Sequence, residues 1–230
     1  MKKLAVICAR SGSKGIKNKN LLKINNKSLI EITIEHAKKA KLFDEIVFSS
    51  DSNNYLKIAS KLGIKLLHKR SSALSSNVSA KIPSIRESLK YAEKKRATTF
   101  DFICDLDVTS PYRMINDILK SFKKFKLSKN FQNQISVIES HKNPYFNMFK
   151  SKNNRLFKFF PSQTFIRRQD VPKVFSANAS IYWWKRKYLL SSDKIIFSNT
   201  GYYIMNEFSI DIDTKKDYEF VKFVMELNAK

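Results

Sequence analysis

Leu4-Ala5-Val6-Ile7-Cys8-Ala9-Arg10-Ser11-Gly12-Ser13-Lys14-Gly15-Ile16 is the stretch on which the reading of the fold turns. Residues 4–9 are an unbroken apolar, β-rich run, and Arg-Ser-Gly-Ser-Lys-Gly ends it. Two lysines ahead of an apolar run imitate a secretory leader, but the run stops at Arg10, short of the roughly 7–15 residues a leader needs and the roughly 20 of a membrane span. It therefore reads as an opening strand. Beyond it, Leu29, Ile30, Ile32, Ile34 and Ala37 fall at helical spacing, and Ser28 with Glu31 forms a capping box that starts a helix there.

Strand, long loop, helix then recurs. Strands are predicted at 45–49, 64–68, 101–106 and about 134–139, and helices at 52–62 (closed by Gly63), about 80–96 and about 114–127. Strands alternating with helices argue for a three-layer, Rossmann-like α/β fold with a mostly parallel sheet covered on both faces. Ligands in such sheets bind at the carboxyl ends of the strands. After about residue 140 the alternation fails. Residues 141–176 are basic and aromatic without a helical period, and read as an arm inserted into a single domain spanning 1–230. Strands follow at 180–184 and 201–205, and a helix from about 214 to 228.

The 230-residue chain carries 44 Lys+Arg against 20 Asp+Glu, a net charge of +24. Its 43% apolar and 13% aromatic content excludes charge-driven disorder and supplies a sizeable core. The charge points to anionic partners, with nucleic acid, a membrane surface and a nucleotide all consistent. Cys8 and Cys104 both lie in apolar runs, which rules out a disulfide framework or zinc cluster and fits a reduced, cytoplasmic setting. His36, His68 and His141 have no metal-ligand spacing, and His36 reads as structural.

Glycine is scarce: Gly12, Gly15, Gly63 and Gly201 are the only four, against a usual share of about 7%. Two of them sit straight after the first strand, beside Arg10, Lys14, Lys17 and Lys19. Such a loop lets backbone N–H groups approach an anion, so a phosphate cradle is expected, with a tight turn in a basic loop as the alternative. The Walker spacing is absent. Asp105-Leu106-Asp107-Val108-Thr109-Ser110-Pro111-Tyr112-Arg113 ends the 101–106 strand and faces the same crevice, as ligand groups or as a solvated turn. In Ser209-Ile210-Asp211-Ile212-Asp213-Thr214, residues two apart point to one side of an extended segment. Asp211 and Asp213 thus suit Mg²⁺ held partly through substrate phosphates, while Asp213 or Thr214 can also cap the last helix. Arg167-Arg168-Gln169-Asp170-Val171-Pro172, followed by Asn178-Ala179-Ser180-Ile181-Tyr182, offers paired arginines for a carboxylate or phosphate, or a surface charge run.

Together and in this order, ARSGSKGI with Lys19 and Asn20, TSPYR, RRQDVP with NASIY, and SIDIDT with Asp217 resemble the acylneuraminate cytidylyltransferase family over nearly the whole chain. The resemblance implies a nucleotide-diphospho-sugar transferase type fold and a Mg²⁺-dependent transfer of CMP from CTP to a nine-carbon 2-keto sugar acid. It also implies a homodimer in which an arm, here 141–176, reaches over the partner's site. Matched position by position, Arg10, Ser13, Lys14, Lys19 and Asn20 would hold the CTP phosphates, with Arg70 near the nucleotide. Asp211 and Asp213 would hold the metal, and Asp211, Lys19 and Arg10 would carry the catalytic burden. Arg168 and Tyr182 would meet the sugar acid.

Asp107 and Val108 stand where sialic acid enzymes usually have Gln-Pro, and Ala179-Ser180 where they have Gly-Ala. These departures resemble the branch acting on legionaminic or pseudaminic acid, with Asp107 facing the sugar and Lys81 either a further substrate contact or a solvated side chain. The enzyme for 3-deoxy-manno-octulosonate is the near alternative. A basic nucleic-acid binding protein is the distant one, disfavoured because lysines are spread along the whole chain.

Overall fold

The structure, a computed structural model, describes residues 1–12, 15–71, 81–163, 165–206 and 208–228. Its centre is β1 (Lys3–Cys8), whose Leu4, Ala5, Val6 and Ile7 are all fully buried, as a parallel strand covered on both faces requires. β1 pairs in parallel with β4 (Glu45–Ser50) on one side and with β6 (Phe102–Leu106) on the other. β5 (Leu66–Lys69) extends the first side. On the second side β6 is followed by β10 (Phe175–Lys185), β7 (Asn133–Glu139) and β11 (Thr200–Ile204), giving the order β11-β7-β10-β6-β1-β4-β5. Only β10 runs antiparallel to its neighbours, so the sheet is mostly parallel, as the sequence predicts.

Alternation along the strands divides the core. Ala5, Ile7, Phe48, Cys104 and Trp183 face a layer that includes α1 (Leu29–Lys39), α2 (Asn53–Lys61), α4 (Ile115–Leu127) and α6 (Lys215–Leu227). Leu4, Val6, Val47, Ile103 and Trp184 face α3 (Lys81–Arg96) and α5 (Arg186–Ser191). The capping box at Ser28 and Glu31 is present, with the Ser28 amide donating to Glu31 Oε2 at 2.6 Å. Gly63 closes α2 with φ +80°, a conformation that side chains oppose.

The chain turns from β1 toward β4 and β5, then crosses back to lay β6 on β1's other side. The carboxyl ends of β1 and β6 therefore flank a topological switch point.

Three short elements are not visible in the hydrophobic pattern. These are a 3-10 turn at Lys19–Leu21, a ribbon of β2 (Lys23–Ile24) with β3 (Lys27–Ser28), and α5. β10 begins at Phe175, earlier than the predicted 180, because it resumes pairing with β7 beyond an irregularity between Ala177 and Tyr182. Within residues 141–176, β8 (Phe149–Lys152) and β9 (Arg155–Lys158) form a separate hairpin with every residue exposed.

Candidate active site

Four segments far apart in sequence meet at the switch point. The loop after β1 is fastened first: the Ser11 amide and hydroxyl donate to Asp51 Oδ1 and Oδ2, each at 2.8 Å, at the end of β4. Buried Asn20 donates to the Arg10 carbonyl at 2.9 Å. Lys19 Nζ reaches across the crevice to the Ile212 carbonyl at 2.5 Å and to Asp213 Oδ1 at 3.0 Å. A Cβ on Gly15 would overlap the Asp213 carbonyl oxygen, so glycine is what allows this loop to lie directly on the acidic segment. Arg70, at the end of β5, is only 8% exposed, and its Nε and Nη2 have no hydrogen-bond partner among the described residues. A buried guanidinium with open donors is an anion receptor. Ser13 and Lys14 lie outside the described residues.

The DLDVTSPYR segment supplies the opposite wall. Asp105 is fully buried on β6, and Lys81, the first residue of α3, places Nζ 2.5 Å from its Oδ2 while also pairing with Asp107 Oδ2. Asp107 Oδ1 accepts from the Thr109 amide at 2.9 Å and from its hydroxyl at 2.8 Å. Burial alone would raise the Asp107 carboxyl, but Lys81 and the Thr109 donors outweigh it and hold it at about 2. Burial pushes Asp105 upward despite Lys81. For Lys81, burial opposes the charge and the two carboxylates overcome it, so its ammonium is held well above the usual lysine range. Lys81 is thus ion-paired in the crevice wall and not a freely solvated side chain.

Arg113 braces this segment. Its buried guanidinium donates to the Ser180 carbonyl at 2.7 Å and to the Asp107 carbonyl, and burial lowers it to about 10. The SIDIDT segment docks alongside through the Ile212 amide, which donates to the Thr109 carbonyl at 2.8 Å. Ile212 is fully buried, which leaves Asp211 and Asp213 on the other side of the chain. The Asp211 carboxyl is raised by burial and by nearby Asp107, against the opposing influence of the neighbouring Thr109 hydroxyl. At the last helix, Thr214 accepts from the Asp217 amide at 3.2 Å, so the capping role coexists with the acidic pair.

The NASIY segment is the irregular stretch of β10. Ala179 has φ +53°, and buried Asn178 accepts from Ser136 Oγ at 2.6 Å and donates to Ser209 Oγ at 3.2 Å. Buried Tyr182 lies opposite Asp105 in the β10–β6 pairing. Its phenol is raised chiefly by burial, with Lys81, Asp105 and Asp107 all close enough to act on it. Arg168 is the outlier: it is exposed and donates to the His141 carbonyl at 3.2 Å.

Asp51 and the bracing role of Arg113 escaped the sequence reading. Asp51 sits at a strand end, a place where a carboxylate is a signal, whereas the Arg113 brace depends on Ser180, 67 residues away. The cysteines and His36 behave as core groups. Burial drives the Cys8 thiol up to about 11, raises Cys104, and lowers His36 to about 3.

Among the described residues no three His, Cys, Asp or Glu side chains gather into a metal cage. The donor chemistry nevertheless fits Mg²⁺. Asp211 Oδ1 is a buried carboxylate oxygen with no hydrogen-bond partner among the described residues, Asp213 stands beside it, and a hard cation that keeps substrate phosphates as ligands needs few protein oxygens.

A family described as cytidylyltransferase matches residues 4–229. The chain is 42% identical over 223 residues to the post-translational flagellin modification protein B of Campylobacter coli, covering 96% of this chain and 94% of that protein. It is 40% identical over 225 residues to the CMP-N,N'-diacetyllegionaminic acid synthase of Campylobacter jejuni, covering 97% and 95%. In fold it is similar to a CMP:2-keto-3-deoxy-manno-octonic acid synthetase complexed with CTP, with TM-score 0.69, 16% identity, and coverage of 99% of this chain and 100% of that one. The match over residues 4–229 spans every segment that builds the crevice, and the chain belongs to the cytidylyltransferase family.

Proposed function

We propose that this chain transfers CMP from CTP to the anomeric 2-hydroxyl of a nine-carbon 2-keto sugar acid of the legionaminic type, releasing pyrophosphate. The observation that carries this reading is the 40% identity, over 97% of the chain, to a CMP-N,N'-diacetyllegionaminic acid synthase. The crevice supports it, because a basic glycine loop and an acidic segment are in direct contact across the switch point. The octulosonate reading rests on a fold likeness at 16% identity and gains no separate support.

Nucleotidyl transfer depends on positioning and charge neutralisation. Arg10, Lys19 and Asn20 line the loop and are assigned to the CTP phosphates, Ser13 and Lys14 being assigned with them on sequence. The open donors of Arg70 take a further acceptor of the nucleotide. Asp211 and Asp213 are the ligands for Mg²⁺, which when bound supplies positive charge against the transferring phosphate. Lys19 pairs with Asp213 at 3.0 Å, and a bound phosphate would compete for that ammonium. Asp107, Lys81 and Tyr182 form the sugar-side wall, and Arg168 is assigned to the sugar carboxylate.

The arm is assigned to a homodimer. A two-stranded hairpin with Phe149, Leu156 and Phe157 exposed does not stabilise itself, and a second copy is the cover this reading gives it. No helix among the described residues is long and apolar enough to cross a membrane.

The test is a pyrophosphate-release screen with CTP and N-acetylneuraminic, N,N'-diacetyllegionaminic, pseudaminic and 3-deoxy-manno-octulosonic acids. Fastest release with the legionaminic acid is expected. Release with the octulosonic acid alone would replace the substrate class.

A further inference from the structure

The crevice contains two Asp-X-Asp pairs, Asp105/Asp107 at the end of β6 and Asp211/Asp213 in the segment docked on Thr109. Their chemistry is the same, yet their surroundings differ. Asp211 Oδ1 has no hydrogen-bond partner among the described residues, and Lys19 pairs at 3.0 Å with Asp213 alone, whose side chain is largely exposed. Asp105, whose oxygens likewise have no hydrogen-bond partner, is instead ion-paired, sharing with Asp107 a single ammonium, that of Lys81, 2.5 Å from Asp105 Oδ2 and in contact with Asp107 Oδ2. Asp105 is completely buried, and its side chain sits beside Asp107 at the end of one strand, where two like charges need a cation between them. Lys81 is held at the first turn of α3, and its side chain is 32% exposed, so its ammonium stands where a cation entering from the crevice would sit.

We propose that Lys81 is a resident counter-cation that takes the place of a second metal ion. It occupies the Asp105/Asp107 pair, confines divalent-cation binding to Asp211 and Asp213, and fixes Asp107 as the acceptor that clamps Thr109. The Asp107 clamp matters because Thr109 is also the residue on which the Ile212 backbone docks, so Lys81 positions the metal-binding segment through Asp107 and Thr109. Lys81 is in this sense a positioning residue. The inference rests on the proposed metal role of Asp211 and Asp213, but its test does not require turnover.

The experiment is equilibrium binding of Mn²⁺ to the full chain, followed by electron paramagnetic resonance of the free ion, with far-ultraviolet circular dichroism to check folding. Lys81→Met removes the ammonium at nearly constant shape and is expected to bind one more Mn²⁺ per chain than the unaltered protein. Lys81→Arg keeps a cation and is expected to bind the same number as the unaltered protein. Lys81→Met with Asp107→Asn is expected to lose the added ion.

Lys81→Met combined with Asp105→Asn has the same net charge as the unaltered protein, so it keeps the test available if the single variant does not fold. It is expected to retain the added ion at Asp107. Unchanged Mn²⁺ stoichiometry in the folded Lys81→Met protein, or in the charge-matched double variant, overturns the proposal. Pyrophosphate release by the unaltered protein is measured in parallel. Its absence would refute the proposed reaction while leaving the ion count interpretable.

Discussion

Replacing Arg113 with Met should destabilise the fold and disorganise the crevice together. Arg113 is 3% exposed, and its guanidinium makes two charge-assisted hydrogen bonds to backbone carbonyls, those of Ser180 and Asp107. Each such bond contributes roughly 1.5–3 kcal/mol, although the Ser180 carbonyl keeps a second donor in the Asp107 amide at 3.3 Å. Against this, Met avoids the cost of burying a cation, a cost visible in the lowering of Arg113 to about 10. The two bonds together come to roughly 3–6 kcal/mol, and the avoided cost of burying the cation offsets part of that, leaving a net loss of about 1–3 kcal/mol. For a chain of this size that corresponds to a fall in Tm of roughly 2–12 °C.

Urea unfolding followed by the fluorescence of Trp183 and Trp184, both buried beside the brace on β10, measures it directly. Arg113→Lys retains one of the two bonds and should fall between the two. A loss below ~1 kcal/mol for Arg113→Met at unchanged m-value would refute the claim that this side chain holds the DLDVTSPYR segment to β10.

Asp211→Asn should remove most turnover and leave the unfolding midpoint near that of the unaltered protein; near-normal activity at saturating Mg²⁺ would show the metal assignment to be wrong. Arg168→Ala should mainly raise KM for the sugar acid, and a change confined to CTP would move that arginine to the nucleotide side. Ala179→Gly relieves a side chain held at φ +53° and should stabilise the protein by up to about 1 kcal/mol in thermal melts, whereas a clear loss would mean the methyl group is needed. The Glu31 carboxyl lies below its usual 4.5 because the hydroxyl and amide of Ser28 donate to it. Its stabilisation is complete above that value and fades as pH falls through the lower folded value. The stability gap between the unaltered protein and Glu31→Gln should therefore close on acidification from about pH 6 to pH 3, and a gap independent of pH would contradict this.

The β1–loop–α1 opening was legible because local signals agree there: an apolar run, a glycine-punctuated loop and the Ser28/Glu31 capping box. The same agreement carried β4 to β7 with their helices. The β2–β3 ribbon escaped because each of its strands is only two residues long, too short for a period, and its turn at Asn25 and Asn26 relies on positive φ without glycine. In the site, residue types at strand ends pointed to Arg10, Lys19, Asp107 and Asp211. Partnerships were not legible. That Lys81 pairs with Asp105 and Asp107, that Arg113 spans to Ser180, and that Gly15 rests on Asp213 all follow from the crossing of β6 beside β1. The net charge of +24 was the least informative feature, since the crevice itself turns on a few lysines and arginines set against buried acids.

The central claim is that the basic loop and the Asp211 segment together activate a sugar acid with CTP. It is tested most directly by pyrophosphate release from CTP and N,N'-diacetyllegionaminic acid with Mg²⁺. The account predicts release that requires both substrates and the cation, together with formation of the CMP-sugar. Pyrophosphate release that continues without the sugar acid, or no release with any 2-keto sugar acid, would contradict it.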